Sequence, residues 1–322
     1  MGKKDGDEVI SSPGARRKAL VVPWTTTFVG ERAYTMLRRI KIILEMIKFE
    51  HTIFALPFAF TGALLAARGV PPWRTALWIA VAMVGARSAA MGFNRWADRK
   101  FDAENPRTKS RALPLGLVSP AHVVLFTAAS SLVLIFAAYM LNPLAFFLAP
   151  VALAIVFFYS YTKRFTYLAH AFLGLAISGS PLGAWIAVTG RLDPPALVLG
   201  AAVLFWLLGF DVLYALQDID FDRKAGLHSI PQRFGVRRSL WIARASHAVT
   251  IAALFWLAAL LSLGWYYLAG VLIALCLIVY EHALVKEDDL SKLDMAFFNM
   301  NGYISVTVFV FTLLDELMRS KP

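Results

Sequence analysis

The sequence predicts an all-α protein that crosses a membrane as nine helices in one bundle around a central cavity. Hydrophobic residues make up 59% of the 322 residues and charged residues only 16%, and the mean hydropathy is +0.62. This composition is typical of polytopic membrane proteins rather than of soluble domains. Nine apolar runs are each long enough, at about 20 residues, to cross a bilayer as a helix. The runs cover residues 42–66, 74–97, 120–140, 143–162, 167–189, 195–217, 239–261, 264–284 and 296–315.

The chain divides into a polar, basic tail over residues 1–39 and a membrane domain over residues 40–318. The short apolar patch of the tail, residues 19–22, ends at Pro23, so no cleavable signal peptide is expected. The single cysteine, Cys276, lies inside an apolar run. A disulfide framework and a cysteine metal site are therefore excluded.

Positive charge is distributed unevenly between the two sides of the predicted bundle. Glycine and proline mark tight connections on one side, for example at residues 190–195, while the other side has longer loops. With the amino terminus on the side of the longer loops, that side carries 24 lysines and arginines against five on the other. The positive-inside rule makes the longer loops cytoplasmic and the carboxyl terminus external. The net charge of +11 is thereby explained by topology rather than by nucleic-acid binding.

Polar side chains crowd the end of the second predicted helix. Asn94, Asp98 and Asp102 are spaced four apart, so their oxygen atoms share one face of a helix. Mg²⁺ prefers carboxylates combined with water and phosphate oxygens to a complete protein cage. The basic segment that follows could hold such phosphates through charge-assisted hydrogen bonds, so the pattern predicts a metal-bridged phosphate ester. The cations of this segment are Arg107, Lys109 and Arg111.

A second copy of the pattern ends the sixth apolar run. Asp211, Asp218 and Asp222 form a similar stripe, and the last two repeat the first-copy aspartates at an offset of 120 residues. A single aspartate at a helix end is more simply interpreted as solvating that end, but two copies at matched spacing favour a functional site. We expect the two acidic helix ends to face each other. Asp220 falls on another face of the helix and is not expected to belong to the site.

Two cations inside the runs are costly at bilayer depth and need a partner or a water-filled cavity. Arg87 precedes Asp98 by eleven residues, about three helical turns, so we expect it to point into the same cavity at greater depth. Lys48 lies in the first run with Glu45 and Glu50. Mutual pairing and substrate binding are both open for Lys48.

These residues resemble the UbiA superfamily of intramembrane aromatic prenyltransferases, whose two aspartate-rich motifs lie on the second and sixth of nine transmembrane helices. The resemblance covers nearly the whole chain after the tail. Tyr214 and Gln217 fit the usual Tyr-x-x-Gln-Asp form of the second motif. Tyr159 and Lys163 resemble the Tyr-x-x-x-Lys element near the end of the fourth helix. Arg95 departs from the pattern, since many relatives have a second aspartate there.

The resemblance implies an enzyme that transfers a polyprenyl group from its diphosphate to an aromatic ring, with two Mg²⁺ ions, or Mn²⁺ instead, between the motifs. The implied metal ligands are Asn94, Asp98, Asp102, Asp211, Asp218 and Asp222, of which Asp98, Asp102, Asp218 and Asp222 are the catalytic residues. The implied diphosphate ligands are Lys109, Arg111, Tyr159, Lys163 and Arg164.

Within the superfamily, the stretch Met46–Pro57 is most similar to the 4-hydroxybenzoate polyprenyltransferases of quinone biosynthesis. We therefore expect 4-hydroxybenzoate as the acceptor, with naphthoate precursors as the alternative. A carboxylate in a low-dielectric cavity needs its own positive charge, for which Arg87 and Lys48 are the candidates. The resemblance also implies a place in the bacterial cytoplasmic membrane, with lipid and the two small-molecule substrates as partners.

Two other classes of protein remain as alternatives. A transporter would also hold charges inside the membrane, but near the midplane and on broken helices, whereas these acids lie at helix ends. A lipid-binding scaffold could place a basic face on anionic lipid, but it leaves the two acidic stripes unexplained.

Overall fold

The computed structural model describes residues 42–43, 45–46, 52–293 and 299–319, and every regular element within these ranges is a helix. Within these ranges, nine helices are long and two are short. In chain order the helices are α1 Thr52–Ala67, α2 Trp73–Ala97, α3 Arg99–Glu104, α4 Pro120–Leu141, α5 Pro143–Thr162, α6 Ala169–Thr189, α7 Pro194–Tyr214, α8 Ile219–Lys224, α9 Ile230–Leu261, α10 Trp265–Leu284 and α11 Asn301–Arg319.

Eight of the described helices are long and apolar enough to span a membrane, and these are the long helices other than α1. Helix α1 is apolar but has only 16 described residues. Residue 44 and residues 47–51 of the predicted first run lie outside the described ranges. The predicted all-α membrane class is confirmed, and the predicted number of nine spanning helices is closely matched.

The structure corrects the predicted start of the seventh span. Helix α9 begins at Ile230, well before the apolar run, because Ser229 Oγ accepts a hydrogen bond from Gln232 N at 3.3 Å and Pro231 occupies the first turn. This start was missed from the sequence because arginines in the first turns of α9 lower the local hydropathy. Gly235, with φ 74°, kinks the helix before its apolar part.

The corner between α4 and α5 shows how the sequence sets a helix boundary. Asn142 Oδ1 accepts a hydrogen bond from Ala145 N at 2.9 Å and caps α5. Pro143 occupies the first position, where its missing N–H costs nothing. The Nδ2 group of Asn142 donates to Ile186 O at 2.7 Å, which ties this corner to the end of α6.

Helix α7 lies between α6 and α9 and carries much of the buried core. Its side chains Leu199 and Trp206 pack in one cluster with Leu254 of α9. Gly174 lets α6 approach α7 closely, because a Cβ at that position would lie 2.6 Å from the carbonyl oxygen of Leu204. The helix that carries the second aspartate motif is therefore rigidly supported on two sides.

Polar contacts tie the helices together at the end of the bundle opposite to the aspartate motifs. Asp315 Oδ2, on α11, accepts a hydrogen bond from Gly264 N at 2.8 Å and so caps α10 from a different helix. Arg68 Nη1, after α1, donates to Leu261 O at the end of α9 at 2.9 Å. These contacts fix the helix ends on that side and leave the motif end for the functional site.

Candidate active site at the ends of α2 and α7

The first motif lies where α2 ends and α3 begins. Asn94 is in the last turn of α2, Asp98 separates the two helices with φ −91° and ψ 6°, and Asp102 is in α3. The single helix expected through this motif is therefore interrupted, although Asp102 N still donates to Asp98 O at 2.8 Å. Asn94 Nδ2 donates to Asp98 Oδ2 at 2.9 Å. Asn94 thus orients the Asp98 carboxylate.

The second motif lies where α7 ends. The helix stops at Tyr214, Ala215–Asp218 form a 3₁₀ turn, and α8 carries Asp222. The predicted run to residue 217 stays helical, but its last turn tightens from α-helix into i→i+3 bonding from Ala215. Asp218 and Asp222 are buried, with 6% and 2% of their surface exposed. The side chain of Asp220 is 88% exposed and so does not share the buried environment of Asp218 and Asp222, as the spacing predicted.

Residues after α3 join the first motif to the second. The Arg107 guanidinium contacts both oxygens of Asp218, with Nε 3.0 Å from Oδ1 and Nη2 2.6 Å from Oδ2. Asn105 Nδ2 donates to the same Oδ1 at 3.2 Å. Arg107 Nη1 also donates to the Tyr214 hydroxyl at 3.0 Å. The two acidic helix ends therefore lie together, as the sequence predicted.

The loop between α5 and α6 makes a second connection between the motifs. Lys163 Nζ lies 3.7 Å from Asp222 Oδ2 in the second motif. The adjacent Arg164 Nη2 lies 3.3 Å from Asp98 Oδ1 in the first motif. The backbone oxygen of Lys163 also accepts a hydrogen bond from His228 N at 2.7 Å. Two predicted diphosphate ligands thus sit on the carboxylates of both motifs.

Asp102 lies between two arginines. Arg111 Nη1 is 2.6 Å from Asp102 Oδ1, and Arg95 Nη1 is 4.0 Å from Asp102 Oδ2. Arg95, the residue that departs from the family pattern, is buried, and its Nε donates to Met46 O at 3.4 Å. Arg95 therefore connects the first motif to the segment before α1.

Each of the four central aspartates faces one cation from a neighbouring loop. A basic partner lowers the electrostatic cost of holding a carboxylate in a partly buried site. The pairs are Asp98–Arg164, Asp102–Arg111, Asp218–Arg107 and Asp222–Lys163.

The donor set of these four aspartates fits a divalent metal ion. Within the described residues, the buried Oδ2 atoms of Asp102 and Asp222 accept no hydrogen bond. An unsatisfied buried oxygen is costly, and carboxylate oxygens are the ligands that Mg²⁺ prefers. In the part of the chain that the structure describes, no three acidic, histidine or cysteine side chains form a preassembled metal cluster. The carboxylates are instead spaced out by the cations between them.

Arg107 remains charged in its partly buried position. Burial lowers the pKa of its guanidinium, but the hydrogen bonds and charge of Asp218 outweigh this effect, so the pKa of Arg107 lies above its ordinary value. The guanidinium also lies over the Tyr214 ring, with the carbon 5.2 Å from the ring centroid. Arg107 is therefore a permanent cation between the two motifs.

His170 is a site residue that the sequence did not single out. Its Nδ1 lies 2.6 Å from Asp211 Oδ2, and its Nε2 accepts a hydrogen bond from Ile230 N at 3.4 Å. Because Nε2 acts as an acceptor, Nδ1 carries the proton and donates it to Asp211. Asp211 thus differs from the four central aspartates, since its partner is a buried imidazole. The one signal in the sequence was the position of His170 shortly after the basic residues Lys163 and Arg164.

Aromatic side chains of α2 and α5 lie beside the first motif. Phe93 stacks on Phe157 with ring centroids 4.3 Å apart and meets Tyr161 edge to face at 5.8 Å. The Arg164 guanidinium lies over Tyr161 at 4.6 Å. This cluster continues the site from its charged part into an apolar one.

The remaining predicted site residues differ in their exposure, and Tyr159 lies near enough to interact electrostatically with Asp98 of the first motif and Asp211 of the second. Tyr159 is partly buried in α5 and Arg87 is partly buried in α2, about three turns before Asp98 of the first motif. Lys109 and Gln217 are exposed. Lys48 lies outside the described residues, so its predicted role stays a prediction.

Comparison with known proteins gives consistent matches over most of the chain. Residues 55–303 match the model of the UbiA prenyltransferase family. The 4-hydroxybenzoate octaprenyltransferase of Nitrosospira multiformis is 35% identical over 260 residues, covering 80% of this chain and 89% of that protein. The enzyme of the same name from Thiobacillus denitrificans is 36% identical over 259 residues, covering 80% and 87%.

Solved structures share the fold. The apo structure of a UbiA homolog from Aeropyrum pernix K1 has a TM-score of 0.76 and 34% identity, covering 83% of this chain and 98% of that one. A UbiA homolog from Archaeoglobus fulgidus bound to DMAPP and Mg²⁺ has a TM-score of 0.60 and 18% identity, covering 83% and 98%.

Proposed function

The chain belongs to the UbiA prenyltransferase family, and we propose that it transfers a polyprenyl group from a polyprenyl diphosphate to the ring of 4-hydroxybenzoate. Relatives named for this acceptor are 35% and 36% identical to it. The observation that carries the proposal is that cations from the surrounding loops contact the carboxylates of both aspartate motifs, which brings the two motifs together. Carboxylates that can bind metal ions, with cations beside them that can bind phosphate oxygens, suit a substrate with a diphosphate group.

The proposed cofactor is Mg²⁺, with two ions in the site and Mn²⁺ as the alternative. In support, homologues from Archaeoglobus fulgidus were solved with Mg²⁺ and with Cd²⁺. When bound, such ions neutralise the diphosphate and stabilise the negative charge that develops as the allylic C–O bond breaks. The proposed ligands are Asp98, Asp102, Asp218 and Asp222, with Asn94 and Asp211 alongside.

The cations that now face the aspartates are the proposed ligands of the diphosphate. Lys163 and Arg164 contact both motifs, so one loop would hold the leaving group across the whole site. Positioned cations of this kind stabilise developing charge without reorganising during the reaction. The other proposed diphosphate ligands are Lys109, Arg111 and Tyr159.

The aromatic cluster would surround the allylic cation that forms when the diphosphate leaves. The faces of Phe93, Phe157 and Tyr161 attract a cation and exclude water that would otherwise capture it. The electron-rich phenol ring of the acceptor attacks the cation, and the new C–C bond forms. The attacked ring carbon then loses its proton, which restores the aromatic ring.

The acceptor carboxylate needs a positive charge of its own, because the loop cations are engaged by the diphosphate. Arg87 and Lys48 are the proposed partners. Arginine offers a planar fork that matches a carboxylate, which favours Arg87. A naphthoate precursor of another quinone is the alternative acceptor, since it also carries a carboxylate and a phenolic hydroxyl group on its aromatic ring.

We place the enzyme in the bacterial cytoplasmic membrane with the motif end of the bundle facing the cytoplasm. The apolar helices and the family make it an integral membrane protein. The excess of 24 lysines and arginines against five supports this orientation. Diphosphate substrates made in the cytosol would then reach the site directly.

Incubation of the purified protein with labelled polyprenyl diphosphate, Mg²⁺ and a panel of acceptors tests the proposal. The panel contains 4-hydroxybenzoate, its methyl ester, a dihydroxynaphthoate and no acceptor. We expect prenylated 4-hydroxybenzoate and an equal amount of diphosphate. A folded protein that prenylates none of the aromatic acceptors would contradict the proposed function, and a preference for the naphthoate would reassign the acceptor.

A further inference from the structure

Arg107 occupies the carboxylate that the second motif would offer to a metal ion. We propose that Arg107 is held on Asp218 while no prenyl donor is bound, and that it moves to the donor's diphosphate when the donor binds. Metal binding at Asp218 would then depend on the donor. This inference rests on the proposed function.

The contacts of Asp218 leave little room for another ligand. Its Oδ1 accepts from Arg107 Nε at 3.0 Å and from Asn105 Nδ2 at 3.2 Å, and its Oδ2 accepts from Arg107 Nη2 at 2.6 Å. A metal ion that binds both oxygens of Asp218 must displace at least part of this set. Within the described residues, Asp102 and Asp222 differ, because each keeps one buried oxygen without a hydrogen bond.

Displacement of Arg107 from Asp218 is unfavourable when the guanidinium gains no other anionic partner. A bidentate arginine–carboxylate pair is among the strongest hydrogen-bonded pairs in proteins. A partly buried guanidinium that loses its carboxylate is left without compensation for its lost hydration. A diphosphate removes this obstacle, because its oxygens match the guanidinium fork as well as a carboxylate does.

The position of Arg107 allows such a move. Arg107 lies in the segment between α3 and α4, beside the other basic residues of that segment, and 31% of its side chain is exposed. Its backbone is held by a contact that does not involve the guanidinium, since Arg107 N donates to Asn105 Oδ1 at 2.9 Å. The side chain can therefore change partners while the backbone stays in place.

The exchange makes the binding of the donor and the metal mutually dependent. The donor takes Arg107 and frees Asp218 for the metal, and by linkage the metal strengthens binding of the donor to the same degree. Without the donor, the site would therefore bind fewer metal ions, or bind them more weakly, than it does with the donor present.

Titration of Mn²⁺ against the purified protein in lipid nanodiscs, without donor, tests the inference by electron paramagnetic resonance of the free ion. Arg107→Gln is expected to bind Mn²⁺ about tenfold more tightly than the wild type, because the competing charged hydrogen bonds are lost. The double variant Arg107→Gln with Asp218→Asn is expected to lose this gain. Arg107→Lys, whose single ammonium cannot hold both oxygens, is expected to be intermediate.

The matched control is Arg223→Gln, because Arg223 pairs only loosely with the exposed Asp220 at 3.8 Å. It should leave Mn²⁺ binding unchanged. With saturating metal, Arg107→Gln should also weaken binding of a labelled prenyl thiodiphosphate, which does not react, by about tenfold. Mn²⁺ binding by Arg107→Gln and Arg107→Lys no tighter than wild type, or a gain that persists with Asp218→Asn, overturns the inference. Absence of prenylated product from the wild type would instead contradict the proposed function. The order of Mn²⁺ affinities among the variants tests the inference separately, because it does not depend on product formation.

Discussion

His170 donates its Nδ1 proton to Asp211 Oδ2 across 2.6 Å, from one helix of the bundle to the next. The imidazole is fully buried, and its other nitrogen accepts the backbone N–H of Ile230 at the start of α9. One side chain therefore connects the carboxylate of α7 with the first turns of α6 and α9. This arrangement orients Asp211 and couples it to the loop that also contacts Lys163.

Loss of the imidazole should weaken the site without removing any proposed metal ligand. For His170→Phe we expect a tenfold to hundredfold loss of activity or of metal affinity, the range of about 10–100 found when a residue that orients a metal ligand is replaced. The Mg²⁺ dependence of the rate measures the effect. His228→Ala is the control, since His228 contacts Lys163 only through its backbone N–H. Equal Mg²⁺ dependence for His170→Phe and wild type would contradict the role of His170.

Replacement of any central aspartate by asparagine keeps its shape and removes its charge. At saturating Mg²⁺ we expect the rate to fall by about a hundredfold or more for each variant, comparable to the loss of other groups that stabilise developing charge. Asp220→Asn is the control, because Asp220 is exposed and its contact with Arg223 is weak. A near-normal rate for one variant would remove that aspartate from the metal site. The variants are Asp98→Asn, Asp102→Asn, Asp218→Asn and Asp222→Asn.

The sequence predicted the spanning helices well because hydropathy is a local property of the chain. The predicted run 143–162 has the same bounds as α5, and the run 74–97 ends at the same residue as α2. The start of α9 was missed because its first turns are basic, although Ser229 and Pro231 form a recognisable start signal. Helix caps therefore carried information that hydropathy alone did not use.

The partners of the aspartates could not be predicted from the sequence. Arg107 and Asp218 are separated by 111 residues, and His170 and Asp211 by 41. Such pairs depend on which helices are neighbours in the bundle, and no local pattern encodes that. The interruption of the helix at Asp98 was also not visible, because the residues on both sides are good helix formers.

The orientation of the bundle gives a prediction that does not depend on chemistry. Single cysteines introduced at residues 100–112 in a Cys276→Ser background should react with a membrane-impermeant reagent only after the cytoplasmic side is opened. The excess of positive charge on the motif side is the physical reason. A cysteine at residues 190–193, between α6 and α7, should react from outside and serves as the control. Labelling of residues 100–112 from outside in intact cells would contradict the orientation.

Recognition of the acceptor carboxylate gives the last prediction. Arg87 lies about three turns before Asp98, on the helix that carries Asn94, and a carboxylate at that depth would be protonated or excluded without a cation. Arg87→Met should raise the Michaelis constant for 4-hydroxybenzoate by about tenfold to a hundredfold, the equivalent of one lost hydrogen bond between charged groups. The Michaelis constant for the polyprenyl diphosphate should be unchanged, since only ground-state binding of the acceptor is lost.

The methyl ester of 4-hydroxybenzoate separates charge recognition from general damage to the site. It lacks the anion, so Arg87→Met should impair its use much less than that of the acid. Lys48→Met, measured in the same way, shows whether the second candidate contributes. If the wild type uses the ester as well as the acid, or if neither variant changes acceptor binding, then no cation recognises the carboxylate and the acceptor is a neutral aromatic ring.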